Sequence, residues 1–246
     1  AIYHGEIDTV SGALRIFDKT LCEDCPSYLS LHPSGRYLYA VNEVDTFDGG
    51  GAVSAFSVDV DSGKLNFLNI QPTGGSPCQN TVDESGRYVL SANYVGGSVS
   101  MHPILNDGSL GEMSDFKQHE GSGVNADRQE APHAHSINVD HENHFAYCAD
   151  LGLDKIFIYE LDLDGGKLKD YGAVSVTPGN GPRHFVFHPR RKFAYVINEL
   201  SNTVTAFAYD AAAGTLKKIQ EIPTIPSDYD QTTTTSDIHV TPNGRF

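Results

Sequence analysis

GPRHFVFHPRRKFAYVINE, Gly181 to Glu199, is the stretch whose reading decides the fold. Phe185 and Phe187 alternate with other residues before His188-Pro189-Arg190-Arg191, and Phe193, Tyr195 and Ile197 alternate after it. A period of two belongs to a β-strand, whose successive side chains point to opposite faces. The basic, Pro-containing tetrapeptide breaks the alternation and turns the chain. The same arrangement recurs as CPSYLSLHPSGRYLYAVNE (Cys25 to Glu43), SPCQNTVDESGRYVLSANY (Ser76 to Tyr94) and, more loosely, HAHSINVDHENHFAYCADL (His133 to Leu151). A fifth copy, SDIHVTPNGRF, starts at Ser236 and reaches the last residue, Phe246.

The aromatic after each turn marks the register: Tyr37, Tyr88, Phe145, Phe193 and Phe246, about 48 to 57 residues apart. Further alternating runs follow each mark, at Ala52–Val58, Ser98–Met101, Lys155–Tyr159 and Thr203–Tyr209. Each of these ends in a Gly-containing turn and then a Leu (Leu65, Leu110, Leu168, Leu216). Four strands per unit at this spacing predict an all-β protein, a β-propeller of four-stranded blades. No helical pattern of any length competes with it. Residues 1–17 match the second half of a unit, and Phe246 falls in mid-strand. The expectation is one propeller domain over 1–246, cut at both ends and covering about five blades.

A net charge of −15 argues against binding to nucleic acid or to an anionic membrane surface. An anionic substrate would need cations supplied locally. Cys22, Cys25, Cys78 and Cys148 lack the paired spacing of a zinc site and read as reduced thiols of a cytoplasmic protein. No signal peptide or membrane-spanning run is evident in the sequence. Two polar insertions, Lys117–Pro132 and Pro223–Thr235, interrupt the repeats, and such insertions favour the binding face of a repeat array.

In a propeller the first strand of each blade lines the central channel, so its ends converge near the axis. Ten residues before the marks stand Ser27, Cys78, His135, Arg183 and Ser236; six after stand Glu43, Tyr94, Leu151 and Glu199, preceded by Asn42, Asn93, Asp150 and Asn198. A purely structural column should hold one residue type. This breakdown at axial positions singles out His135, Arg183 and Glu199. His135 could move protons, Arg183 could hold an anion or an oxyanion, and Glu199 could activate water or orient the imidazole. His133, Asn198 and Glu43 are further candidates for substrate binding. His133-x-His135 could instead ligate a metal, but no acidic or Cys partner stands at ligand spacing, and none is assigned. His184 and His239 should alternate into the blade interior as core residues. Arg190, Arg191 and Lys192 read as a solvated turn.

PHAHS (Pro132 to Ser136), CADLGLDKIFIY (Cys148 to Tyr159), GPRHFVFHP (Gly181 to Pro189), YVINELSNTVTAF (Tyr195 to Phe207) and the run from Ser236 resemble the seven-bladed propeller lactonases. That family includes bacterial 6-phosphogluconolactonases and fungal carboxy-cis,cis-muconate cyclases. The resemblance implies a cofactor-free enzyme with its site at the channel mouth and a small anionic substrate. It puts the family's catalytic His on His135, its gripping Arg on Arg183 and its acid on Glu199. The family's rings have seven blades, with a further Arg beyond the strand starting at Ser236, where this sequence ends. The expected reaction is hydrolysis of a sugar δ-lactone, 6-phosphogluconolactone to 6-phosphogluconate. The alternatives are lactone formation from a carboxy-muconate, or a non-catalytic scaffold that binds partners on its propeller faces.

Overall fold

A computed structural model describes residues 1–48, 50–190 and 192–246. Arg191, one of the three cations read as a solvated turn, lies outside the described residues; Arg190 and Lys192 are exposed. Among the described residues, eighteen strands form four four-stranded antiparallel sheets and one two-stranded sheet. The pair β1 (Ile2–Ile7) and β2 (Leu14–Thr20) comes first. The four full blades are β3 (Pro26–Leu31) to β6 (Leu65–Pro72), β7 (Pro77–Val82) to β10 (Asp115–Gln118), β11 (Ala134–Val139) to β14 (Lys167–Ser175), and β15 (Pro182–Phe187) to β18 (Thr215–Pro223). These follow the units read from the repeat. Among the described residues no helix is long and apolar enough to cross a membrane.

The core sits between blades. Phe145, Tyr147 and Ile156 of the third blade pack with Phe185, Val196 and Phe207 of the fourth, and equivalent clusters fill the other blade–blade seams. The three seams between full blades also carry a polar stitch. Tyr39, Tyr88 and Tyr147 donate their hydroxyls to the carbonyls of Gly108, Leu163 and Gly214 in the following blade, at 3.0, 2.9 and 2.9 Å. The aromatic thereby buries its ring and still satisfies its polar tip.

The first turn of each unit also links neighbours. His32 and His188 place their Nε2 3.0 Å from the carbonyls of Gly86 and Gly244, one repeat further on. Those glycines sit at φ +71° and +68°, and a Cβ on either would collide with the imidazole. Ser236–Phe246 forms its turn, with Thr241 N donating to Phe246 O at 2.7 Å, but no strand. The expected fifth copy is thus only partly realised, because a lone first strand has no neighbour to pair with. His239, expected in a blade interior, is exposed for the same reason. His184 is buried, but among polar groups.

His102 in β9 (Ser98–Pro103) ties two blades together, its Nε2 donating to Pro72 O of β6 at 2.9 Å. Burial pushes its pKa from 6.5 down to about 4. Between those two values the unfolded chain binds the proton and the folded chain does not. Stability is therefore complete above pH 6.5 and falls as the pH drops toward 4. At about 1.4 kcal/mol per pKa unit, this one imidazole contributes a loss on the order of 3 kcal/mol. His102→Gln, which keeps an N–H donor without titrating, should flatten the decline in denaturation midpoint between pH 7 and 4.5.

Candidate active site at the channel mouth

The position ten residues before each mark is a β-bulge. Pairing in the four first strands skips between Pro26 and Tyr28, Pro77 and Gln79, Ala134 and Ser136, and Pro182 and Phe185. The residues skipped are Ser27, Cys78, His135 and the pair Arg183–His184. A bulge re-aims side chains that regular alternation would send elsewhere. The position six after each mark is held by a repeated backbone bond: Glu43, Tyr94, Leu151 and Glu199 donate their N–H to the carbonyls of Cys25, Ser76, His133 and Gly181. Cys25, Ser76 and Gly181 take positive φ there (49°, 45° and 63°), which aims the carbonyl at the hairpin. Bulge and hook together bring the two columns to one end of the channel.

Glu199 is the meeting point. It is buried, and its Oε2 lies 3.0 Å from Arg183 Nε and 3.8 Å from His135 Nε2. Its Oε1 accepts from Arg128 at 2.6 Å. Arg128 belongs to the Lys117–Pro132 insertion, so that loop does overhang the site. Its guanidinium also donates to the Tyr94 hydroxyl at 3.3 Å. Arg183 has two further partners: the Ser236 carbonyl, and His184 Nε2 at 3.4 Å. His184 in turn places Nδ1 2.6 Å from Asp237, so Asp237 fixes the tautomer that accepts from Arg183.

His135 is buried, and its pKa is held well below the ordinary imidazole value, first by burial and then by the nearby charge of Arg183. The ring is therefore neutral at pH 7, as a general base must be. The Cys78 thiol lies 3.6 Å from His135 Nδ1 and 3.2 Å from its carbonyl oxygen. Burial raises the Cys78 pKa, so it stays a thiol and donates to that carbonyl. Tyr94 stacks on His133, ring centroids 4.6 Å apart and planes 16° apart, and meets His135 edge-on at 5.2 Å.

His135, Arg183, Glu199 and His133 are thus brought together. His133 sets Nδ1 3.1 Å from Tyr94 O and Nε2 3.3 Å from Glu130, so its ring nitrogens do not converge with those of His135. Asn198 is not in the cluster. It is buried one residue from Glu199, on the opposite face, with its amide nitrogen donating to Thr203 and Thr205 at 2.9 Å each. Glu43 is exposed, with no hydrogen bond or ion pair to the cluster among the described residues. Arg128 and Tyr94 escaped the sequence reading. Tyr94 stood in the Glu199 column; Arg128 lies in an insertion that no repeat register reaches.

The comparisons with known proteins bear on the family and the fold. The profile of the family described as Lactonase, 7-bladed beta-propeller, matches residues 1–246, and the chain belongs to that family. It is 40% identical to the 6-phosphogluconolactonase of Bacillus subtilis over 246 residues, spanning 69% of that protein, and 34% identical to that of Formosa agariphila, spanning 68%. Among solved structures it resembles the periplasmic gluconolactonase of Pseudomonas aeruginosa, with a TM-score of 0.88 at 29% identity over 98% of this chain and 69% of that one. A Lactobacillus plantarum protein matches with a TM-score of 0.89 at 30% identity, over 98% of this chain and 68% of that one.

The electrostatics of His135 can be read directly. By imidazole NMR in the complete protein, the His135 ring should remain neutral at pH 6.5. Arg183→Met removes a repelling cation and should move its titration upward. A wild-type ring that titrates at or above 6.5 would contradict the assignment.

Proposed function

We propose that the chain forms the catalytic part of a 6-phosphogluconolactonase, which hydrolyses the δ-lactone of a phosphorylated sugar acid. The observation that carries this reading is a neutral, buried imidazole 3.8 Å from a carboxylate that two arginines hold. The B. subtilis relative's name supports the choice of substrate. His135 takes a proton from water as the water oxygen bonds to the lactone carbonyl carbon. Arg183 stabilises the oxyanion that develops. The tetrahedral intermediate collapses by breaking the bond to the ring oxygen, which takes the proton back from the imidazolium. Glu199 faces the ring and stabilises its transient positive charge. The product is the open-chain acid. No step calls for a cofactor. The unpaired thiols of Cys22, Cys25, Cys78 and Cys148 support a cytoplasmic setting.

The ion pairs on Glu199 also suit the scaffold alternative, in which the cluster is purely structural. Turnover separates the two. A positioned acid–base group contributes about 10²–10⁴-fold in rate. His135→Ala and Glu199→Gln in the complete protein should each lower kcat for lactone hydrolysis by at least the lower figure, with the circular dichroism spectrum unchanged. Full activity in both variants would remove these residues from the mechanism.

A further inference from the structure

We infer that Arg128, rather than Arg183, reads the anionic substituent of the substrate, a phosphate carried on the sugar away from the reacting carbonyl. The inference rests on the lactonase reading above and assigns a specificity-determining residue within it.

The two arginines on Glu199 are not equivalent. Arg183 is committed to the protein: Nε binds Glu199, and one terminal nitrogen serves both Ser236 O and His184 Nε2. Its side chain is 21% exposed. Arg128 engages Glu199 and Tyr94 through a single terminal nitrogen, and its side chain is 40% exposed. A guanidinium carries five N–H donors in a planar fork. Among the described residues, the remaining donors of Arg128 have no protein acceptor.

The backbone beneath Arg128 is anchored while its side chain is not. Gln129 is buried; its Nε2 donates to Leu151 O at 2.8 Å and its N–H to Asn125 O at 2.7 Å. The guanidinium can therefore turn toward a ligand without the loop unfolding. The competing carboxylate is Glu130, whose side chain is 57% exposed and turned to His133 Nε2. In a chain of net charge −15, a partly free guanidinium at the mouth is the local cation that an anionic substrate requires.

The placement also couples recognition to chemistry. Arg128 holds Oε1 of Glu199, while His135 faces Oε2 of the same carboxylate. A phosphate dianion offers a guanidinium a bidentate partner with more charge than a carboxylate. As it takes Arg128, Glu199 loses one of its two cations and becomes a stronger partner for the imidazolium that forms on His135. The phosphorylated substrate gains in binding and in turnover; the unphosphorylated one leaves Glu199 shared.

The test compares kcat/KM of the complete protein for 6-phosphoglucono-δ-lactone and for glucono-δ-lactone, in the wild type, Arg128→Gln and Arg128→Lys. Charge-assisted hydrogen bonds of this kind correspond to roughly 10- to 100-fold. The preference for the phosphorylated lactone should fall by about that factor in Arg128→Gln, with Arg128→Lys intermediate because it keeps the charge and loses the fork. Inhibition by inorganic phosphate should weaken in the same order. If both lactones lose equally and the preference is unchanged, Arg128 does not read the phosphate and the inference falls while the lactonase reading stands. If the wild type hydrolyses neither lactone, the lactonase reading falls and takes the inference with it.

Discussion

A single carboxylate governs the charge balance of the channel mouth. Glu199 sits buried between Arg128 and Arg183 with a neutral imidazole beside it. Two guanidiniums facing one pocket would repel each other; the carboxylate between them lets both stay. Together with burial, the cations keep His135 unprotonated. Removing the carboxylate would leave two partly desolvated like charges without a counterion, the costly arrangement for a buried ion cluster. Arg128 reaches Glu199 and the Tyr94 hydroxyl through the same nitrogen, so the overhanging loop and Tyr94 meet at that carboxylate.

The propeller supplies this geometry cheaply because it repeats. In the four full blades the first strand carries its bulge at the same register, and the second strand carries the same backbone hook six residues after its mark. The scaffold thus presents equivalent positions around the axis, and chemistry depends on which side chain stands in each. Ser27 and Cys78 occupy the positions that His135 and Arg183 fill in later blades. Cys78 has a role of its own there, packed against the His135 ring with its thiol on the His135 carbonyl.

Much of this was legible in the sequence. The alternation around Gly181–Glu199 and its copies located four blades, because period and turn chemistry are local properties. The mismatch within the columns located His135, Arg183 and Glu199, because a uniform scaffold makes exceptions visible. Asn198 was misjudged because adjacency in a strand means opposite faces: Glu199 looks into the channel and Asn198 back into the blade. His239 was misjudged because its segment needs partner strands to become an interior. Arg128 was invisible to register, although it is the sole arginine in an insertion lying directly before His133. No local pattern states that its side chain crosses to Glu199, a residue more than a blade away in sequence.

The most direct test is a crystal structure of the complete protein with 6-phosphogluconate bound. The account predicts the product carboxylate against His135 and Arg183, with the phosphate on Arg128 and Glu199 released on that side. A product bound elsewhere, with the Arg128–Glu199–Arg183 cluster intact and His135 out of reach of its carboxylate, would contradict it.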